Sequence, residues 1–292
     1  MTRASQASSH PSPAARRPSE SPLLGIEVVP VGDAPPPADW EGLLALRPDF
    51  LAIAEPPGCD AQPAIEHLRR RAAIPLLPHL TLRHRTPRDI AELAGTWRGQ
   101  GIDRVFALRG DAAASCDPRQ DARLRSALDL VKLLKALDPA LAVWVAGYPE
   151  KHPEAESPEQ DLRNLTAKVA AGADGIISQF FFDADLFLRF RDRCHAAGIA
   201  VPLVAGILMC YDAARLVPLI KRCGVSVPPS LARQLDRYAG DDASLVAFGV
   251  ELACTLGERL LAEEVDGLHF FSGNRAAPTA AVWKNLGLPS RG

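Results

Sequence analysis

Eight short apolar runs, each followed by a longer segment of a different pattern, constrain this chain more than anything else in it. They lie at 24–29, 50–54, 76–80, 104–108, 141–146, 175–178, 201–206 and 267–271. Bounded by Pro or Gly, they have the length of strands and are too short to be helices. The segments between them predict helices over 62–71, 87–99, 122–137, 158–171, 184–197 and 211–221, with a longer helical region over 241–264. Leu124, Leu128, Val131 and Leu134 recur at helical spacing and should face the sheet. Ser157 and Asp183 stand where N-caps belong, with Pro158 at a first helical position. Gly101, Gly172 and Gly198 each follow a helix and precede a strand, as a C-terminal cap does.

Eight strands alternating with helices predict an α/β fold, a (β/α)8 TIM barrel, as a single domain over residues 23–292. A doubly wound sheet is the alternative, weakened because no GxGxxG follows the first strand. With 292 residues the chain can bury a full core. A formal net charge of -2 with 23% charged residues gives no reason to expect nucleic acid or an anionic membrane as partner. The apolar runs are strand-sized, which predicts no transmembrane helix. Residues 1–22, rich in Ser, Ala and Pro and lacking the apolar core of a signal peptide, read as a disordered tail. Six scattered cysteines without a CxxC pair predict reduced thiols in a cytoplasmic protein, with no metal site.

Polar residues gather where strands end, the edge of an α/β fold at which ligands bind. Glu27 interrupts the apolar first strand and shares a face with Gly25 and Val29, so it can point into a barrel mouth. Burial there raises a carboxyl's pKa and suits it to general-acid work near neutrality; a structural ion pair is the other reading. Arg109, Gly110 and Asp111 end the fourth strand. Gly110 allows close approach of a flat ring or phosphate, and Asp111 offers an acceptor to ring N–H groups or caps a turn. After the fifth strand, Tyr148 can stack on a ring and His152 can donate to a phosphate or ribose, in a loop stiffened by Pro149 and Pro153. Asp161, Asn164 and Lys168 fall at spacings of three and four on one helix face, either solvated or a ribose- and phosphate-binding edge. Gln179, after the sixth strand, carries a carboxamide that can donate to and accept from a heteroaromatic ring. His79 is a lone histidine at the third strand end, structural or ligand-contacting. His269, within the last strand, is assigned no chemistry.

These residues sit in stretches that resemble the methylenetetrahydrofolate reductase family. The stretches are P-H-L-T at 78–81, G-I-D-R-V-F-A-L-R-G-D at 101–111, A-G-Y-P-E-K-H-P-E-A at 146–155, D-L-R-N-L-T-A-K-V-A-A-G-A-D at 161–174, Q-F-F-F-D at 179–183 and H-F-F-S-G-N-R at 269–275. The resemblance implies a TIM barrel holding FAD across its strand ends, reduced by NADH or NADPH. Methylenetetrahydrofolate then takes a hydride and becomes methyltetrahydrofolate. It implies Glu27 as the acid that promotes opening of the folate ring, Asp111 beside flavin and pterin, and Gln179 against pterin or nicotinamide. It also implies that His79, Arg109, Gly110, Tyr148, His152, Asp161, Asn164 and Lys168 line the FAD site. The lack of a basic cluster in the strand-end loops favours NADH. A homo-oligomer is compatible with the helical faces, which single out no interface.

The chain departs from the family pattern at several strand ends. Ala54-Glu55-Pro56-Pro57 stands where a Thr/Ser-Tyr-Gly run is usual. A-G-I-L-M-C-Y at 205–211 replaces a segment that usually begins with proline and carries an aromatic further along, and Phe271-Ser272-Gly273 stands where Tyr-Thr-Leu is usual. These departures keep open a flavin-independent reductase and a non-catalytic folate- or flavin-binding relative.

Overall fold

The computed structural model describes residues 21–31, 37, 39–82, 85–110 and 124–289. Residues 1–20 of the expected tail and Asp111 lie outside the described residues. The strands are β1 (Leu23–Val28), β2 (Phe50–Ile53), β3 (Leu76–Thr81), β4 (Arg104–Leu108), β5 (Ala142–Gly147), β6 (Gly175–Phe180), β7 (Leu203–Leu208) and β8 (Gly267–Phe271). All neighbours pair in parallel, and β8 returns to β1, so the sheet closes as a barrel in sequence order. The helices are α1 (Asp39–Leu44), α2 (Gln62–Arg71), α3 (Pro87–Gly99), α4 (Ala127–Leu137), α5 (Pro158–Ala170), α6 (Ala184–Ala196), α7 (Ala213–Cys223), α8 (Pro229–Arg237), α9 (Asp242–Ala262) and α10 (Ala276–Asn285). None of the helices among the described residues is long and apolar enough to cross a membrane.

Alternation along each strand sorts residues into two cores. On β1, Leu24, Ile26 and Val28 join the large apolar layer beneath the helices. The lumen is filled instead by Phe50, Ala52, Leu77, Phe106, Trp144, Ile177 and Val204, a separate cluster. Gly25 faces that lumen. A Cβ on it would lie 2.2 Å from the Phe50 ring and 2.7 Å from His269 Nδ1, so only glycine leaves room for both rings. Its neighbour two residues on, Glu27, faces the same way, as the alternation predicts.

Caps set most helix starts. Ser157 accepts from the Gln160 amide and Asp183 from the Asp185 amide, both as expected. The helix expected from residue 122 starts later, at Ala127. Ser126 and Asp129 form a reciprocal capping box there, which fixes the first turn. Likewise α7 begins after Asp212, which accepts from the Arg215 amide, rather than at Tyr211. Gly101, Gly172 and Gly198 all take positive φ, at 80°, 107° and 80°. Three helices had no sequence expectation: α1, α8 and α10.

The seam between β8 and β1 is locked by side chains. Asn274, itself at φ 62°, accepts from the Val29 amide (2.8 Å) and from Trp40 Nε1 (2.9 Å), and donates to the Val29 carbonyl (2.7 Å). Ser272 Oγ donates to the Glu27 carbonyl at 2.6 Å. This lock holds the backbone that carries Glu27.

Candidate active site

The C-terminal rim of the barrel divides into an apolar side and a charged side. On the first, Glu27 Oε2 lies 3.5 Å from His79 Nε2, and both side chains are largely buried. Burial pushes the Glu27 carboxyl up to about 7 and the His79 imidazole down to about 3. His79 packs on the Phe106 ring at 4.9 Å. Below, His269 is stacked on Phe50, edge-on to Phe271, and also held down to about 3 by burial, then by His79. Both imidazoles are therefore neutral across the ordinary pH range. His269, given no role from the sequence, is a lumen residue beneath the acid.

One strand over, Glu55 follows β2 and is satisfied in full. It accepts from the Thr81 amide (3.2 Å) and hydroxyl (2.8 Å) and forms an ion pair with Arg85. The sequence marked Glu55 as a departure but gave no partner for it.

The charged side is built by β4, β5 and α5. Arg109 reaches Glu154 through two bonds of 2.5 Å, joining the β4 exit to the loop after β5. Gly110 follows at φ 84°, a conformation that favours glycine. Tyr148 and His152 meet edge to face at 4.7 Å. The His152 amide donates to Asp161 (3.0 Å), while its Nδ1 accepts from the Glu154 amide (3.1 Å). A neutral His152 therefore carries its proton on Nε2. Burial, and secondly Arg109, hold its pKa below the usual histidine value. Lys168 is half-buried and donates to the Ala146 carbonyl at 2.7 Å; desolvation brings it down to about 8. Of the expected helix-face trio, Asp161 and Lys168 turn toward β5, whereas Asn164 is exposed and accepts from Gln160 (3.0 Å).

The loop after β5 is fastened at several points, none of them foreseen. Glu150 accepts from the amide (2.8 Å) and hydroxyl of Ser226. Lys151 donates to the Ala155 carbonyl (2.8 Å), and Arg193 to the Pro149 carbonyl (3.1 Å). Gln179 sits where the β6–β7 register shifts between Ile177 and Phe180. Its Oε1 accepts from the Phe180 amide (3.0 Å), which leaves its NH2 to donate. With Tyr148 it lines a narrow cleft against the 223–225 turn.

A closed barrel with these side chains at its rim can be set against known proteins. The family described as Methylenetetrahydrofolate reductase matches residues 45–287, most of the chain. The chain belongs to the methylenetetrahydrofolate reductase family. It is, accordingly, an NAD(P)H-linked reductase of that family. The 5,10-methylenetetrahydrofolate reductase of Escherichia coli is 34% identical over 250 residues, covering 84% of this chain and 83% of the relative. Methylenetetrahydrofolate reductase (NADH) 1 of Arabidopsis thaliana is 32% identical over 222 residues, covering 72% of this chain and 38% of that longer protein. Among solved structures, an uncharacterized Clostridium thermocellum protein that binds two copies of 5-methyl-5,6,7,8-tetrahydrofolic acid superposes with a TM-score of 0.66. It is 16% identical and covers 91% of this chain and 96% of its own, a likeness of fold.

Proposed function

We propose that this methylenetetrahydrofolate reductase family member reduces 5,10-methylenetetrahydrofolate to 5-methyltetrahydrofolate with hydride from NAD(P)H, holding FAD, with Glu27 as general acid. The observation that carries this reading is the lumen-facing Glu27, kept protonated up to about pH 7 by burial. An ordinary carboxyl would have lost its proton well below neutrality. Transfer of that proton to N10 of the folate lets the bond between N10 and the bridging carbon break. The carbon stays on N5 as an iminium, and one hydride converts it to the methyl group. Glu27 is left as a carboxylate and takes its proton back from water when product leaves. Gln179, with its NH2 available, and Asp111 are proposed to orient the ring.

The donors on the charged side fit FAD. Lys168, half-buried against a carbonyl and held below the usual lysine range, gains from an anionic partner such as a diphosphate. His152 presents an Nε2 proton, Gly110 permits close backbone approach, and Tyr148 offers a ring face; Arg109, Asp161 and Asn164 complete the proposed FAD-binding edge, with His79 at the opposite side. When bound, FAD supplies the two-electron carrier between nicotinamide and folate. One observation favours a second reading without flavin: the Glu55–Arg85 pair fills the β2–β3 rim where the chain departs from the family pattern. NADH is proposed as the preferred donor, in a cytoplasmic protein.

The test is turnover of methylenetetrahydrofolate with each dinucleotide, together with an absorption spectrum of freshly purified protein. A flavin spectrum and folate-dependent NAD(P)H oxidation are expected. Colourless protein that turns over without binding added FAD selects the flavin-free reading. Failure to turn over with or without FAD, despite tight folate binding, leaves a binding protein and removes both. A preference for NADPH above about tenfold in kcat/KM, about 1.4 kcal/mol, reverses the dinucleotide assignment.

A further inference from the structure

An acid that works by giving up one proton needs a defined place to keep it. Glu27 Oε2 stands 3.5 Å from His79 Nε2, across the lumen from β1 to β3. That nitrogen is buried and has no hydrogen-bond partner, although the carboxyl oxygen faces it. Phe106 packs against the His79 ring at 4.9 Å. Below about pH 7 the carboxyl carries its proton and the imidazole does not accept a second one, since burial holds them at about 7 and about 3. Two further titratable groups face this point. His269 from β8 has its own Nδ1 buried and unpartnered, and Tyr211 after β7 has its phenol pushed up by burial; neither carries charge at neutral pH. A neutral acid beside a neutral, unsatisfied ring nitrogen is a donor and an acceptor waiting to meet.

We infer that His79 is a positioning residue: its unprotonated Nε2 accepts the hydrogen bond of the Glu27 carboxylic acid and parks the acid's proton on Oε2 until the substrate nitrogen arrives. The inference rests on the proposed role of Glu27. No bond beyond the one proton transfer to the folate is made or broken. Because the bond exists only with the protonated acid, it extends the range over which Glu27 stays protonated. It also fixes the imidazole as the Nδ1–H tautomer.

The wild-type protein, with histidine labelled by 15N, should show one imidazole in the Nδ1–H tautomer with Nε2 unprotonated; its disappearance in His79→Gln assigns it. A proton on Nε2 of His79 overturns the inference without need of any other variant. Infrared spectra at about pH 6 should show a carboxylic carbonyl band that is lost in Glu27→Gln. In His79→Leu the band should move to higher frequency as its hydrogen bond is lost. His79→Gln, whose amide oxygen can accept, should bring it back toward the wild-type position. A band indifferent to residue 79 overturns the role of His79 and leaves Glu27 standing. No such band in the wild type overturns both. In turnover, His79→Leu should move the alkaline limb of kcat down by about one pH unit, and His79→Gln should restore most of it; an unmoved limb counts against the inference.

Discussion

Between β1 and β3 the barrel rim leaves a carboxyl beside a neutral imidazole, with aromatic rings beneath. Between β4 and α5, only a few strands away, the rim ties an arginine to a glutamate, a histidine amide to an aspartate, and a half-buried lysine to a carbonyl. The first side shifts acidity by withholding partners, because desolvation is the cause of the rise at Glu27. The second uses partners to hold a loop in one shape. Glu55, on the strand next to Glu27, makes the contrast sharper: equally a carboxylate at a strand end, it is bonded to Thr81 and Arg85 and serves as structure. Glu27 keeps a raised pKa without a cationic partner, whereas Glu55 is held by one.

Glu27→Gln should have the largest effect. It should lower the folate half of the reaction by about 10²–10⁴-fold, the usual worth of a general acid, while folate still binds. The same variant tests the desolvation argument in stability. Glu27 is raised from 4.5 in the unfolded chain to about 7 in the folded one, so the fold binds the extra proton between those values. Wild-type stability should therefore fall as pH rises through that window, by about 3 kcal/mol from this group, and the penalty persists above it. Denaturant unfolding at both ends of the window should show Glu27→Gln gaining on the wild type as pH rises. No change in the difference would mean that the carboxyl is better solvated than its position implies.

Glu55→Ala should come next, costing about 3 kcal/mol in denaturant unfolding, because Arg85 and Thr81 lose their partner in a mostly buried setting. If the loss is slight, the pair is not the structural counterpart of Glu27. Lys168→Met should weaken FAD binding about tenfold to a hundredfold, the worth of one charged hydrogen bond, as read by titration of the flavin spectrum. Its effect on the protein alone has the opposite sign. Lys168 falls from 10.5 to about 8 on folding, so its penalty is complete below about 8 and relieved toward 10.5. The variant should match or exceed wild-type stability at neutral pH and lose that advantage in alkali. The smallest effect belongs to Glu154→Gln. Its pair with Arg109 is exposed, so stability should change by less than about 1 kcal/mol; a larger change would show that the β4–β5 clasp carries load.

The strands and their order were legible because a buried parallel strand leaves a short apolar run with a Gly or Pro boundary. The facing of Glu27 followed from simple alternation, confirmed by Gly25 and its two rings. Other features left no local trace. Arg109 and its partner Glu154 are 45 positions apart, and no spacing rule joins them. Glu55 looked like a departure because its satisfaction depends on Thr81 at the end of the next strand and on Arg85 in the loop beyond it. The unforeseen α10 packs against both α1 and α9 and has apolar residues around much of its circumference, which erases the periodicity that marks a one-sided helix. The α1 helix is only six residues long, too short to show a period.

The lock at the β8–β1 seam has a consequence in time. Asn274 and Val29 are 245 positions apart, as are Ser272 and the Glu27 carbonyl. The strand bearing Glu27 is therefore synthesised long before the residues that fasten it. Until those contacts form, Glu27 lacks the closed lumen that desolvates it. The desolvation that raises its carboxyl therefore depends on the pairing of β8 with β1, the first and last strands of the barrel.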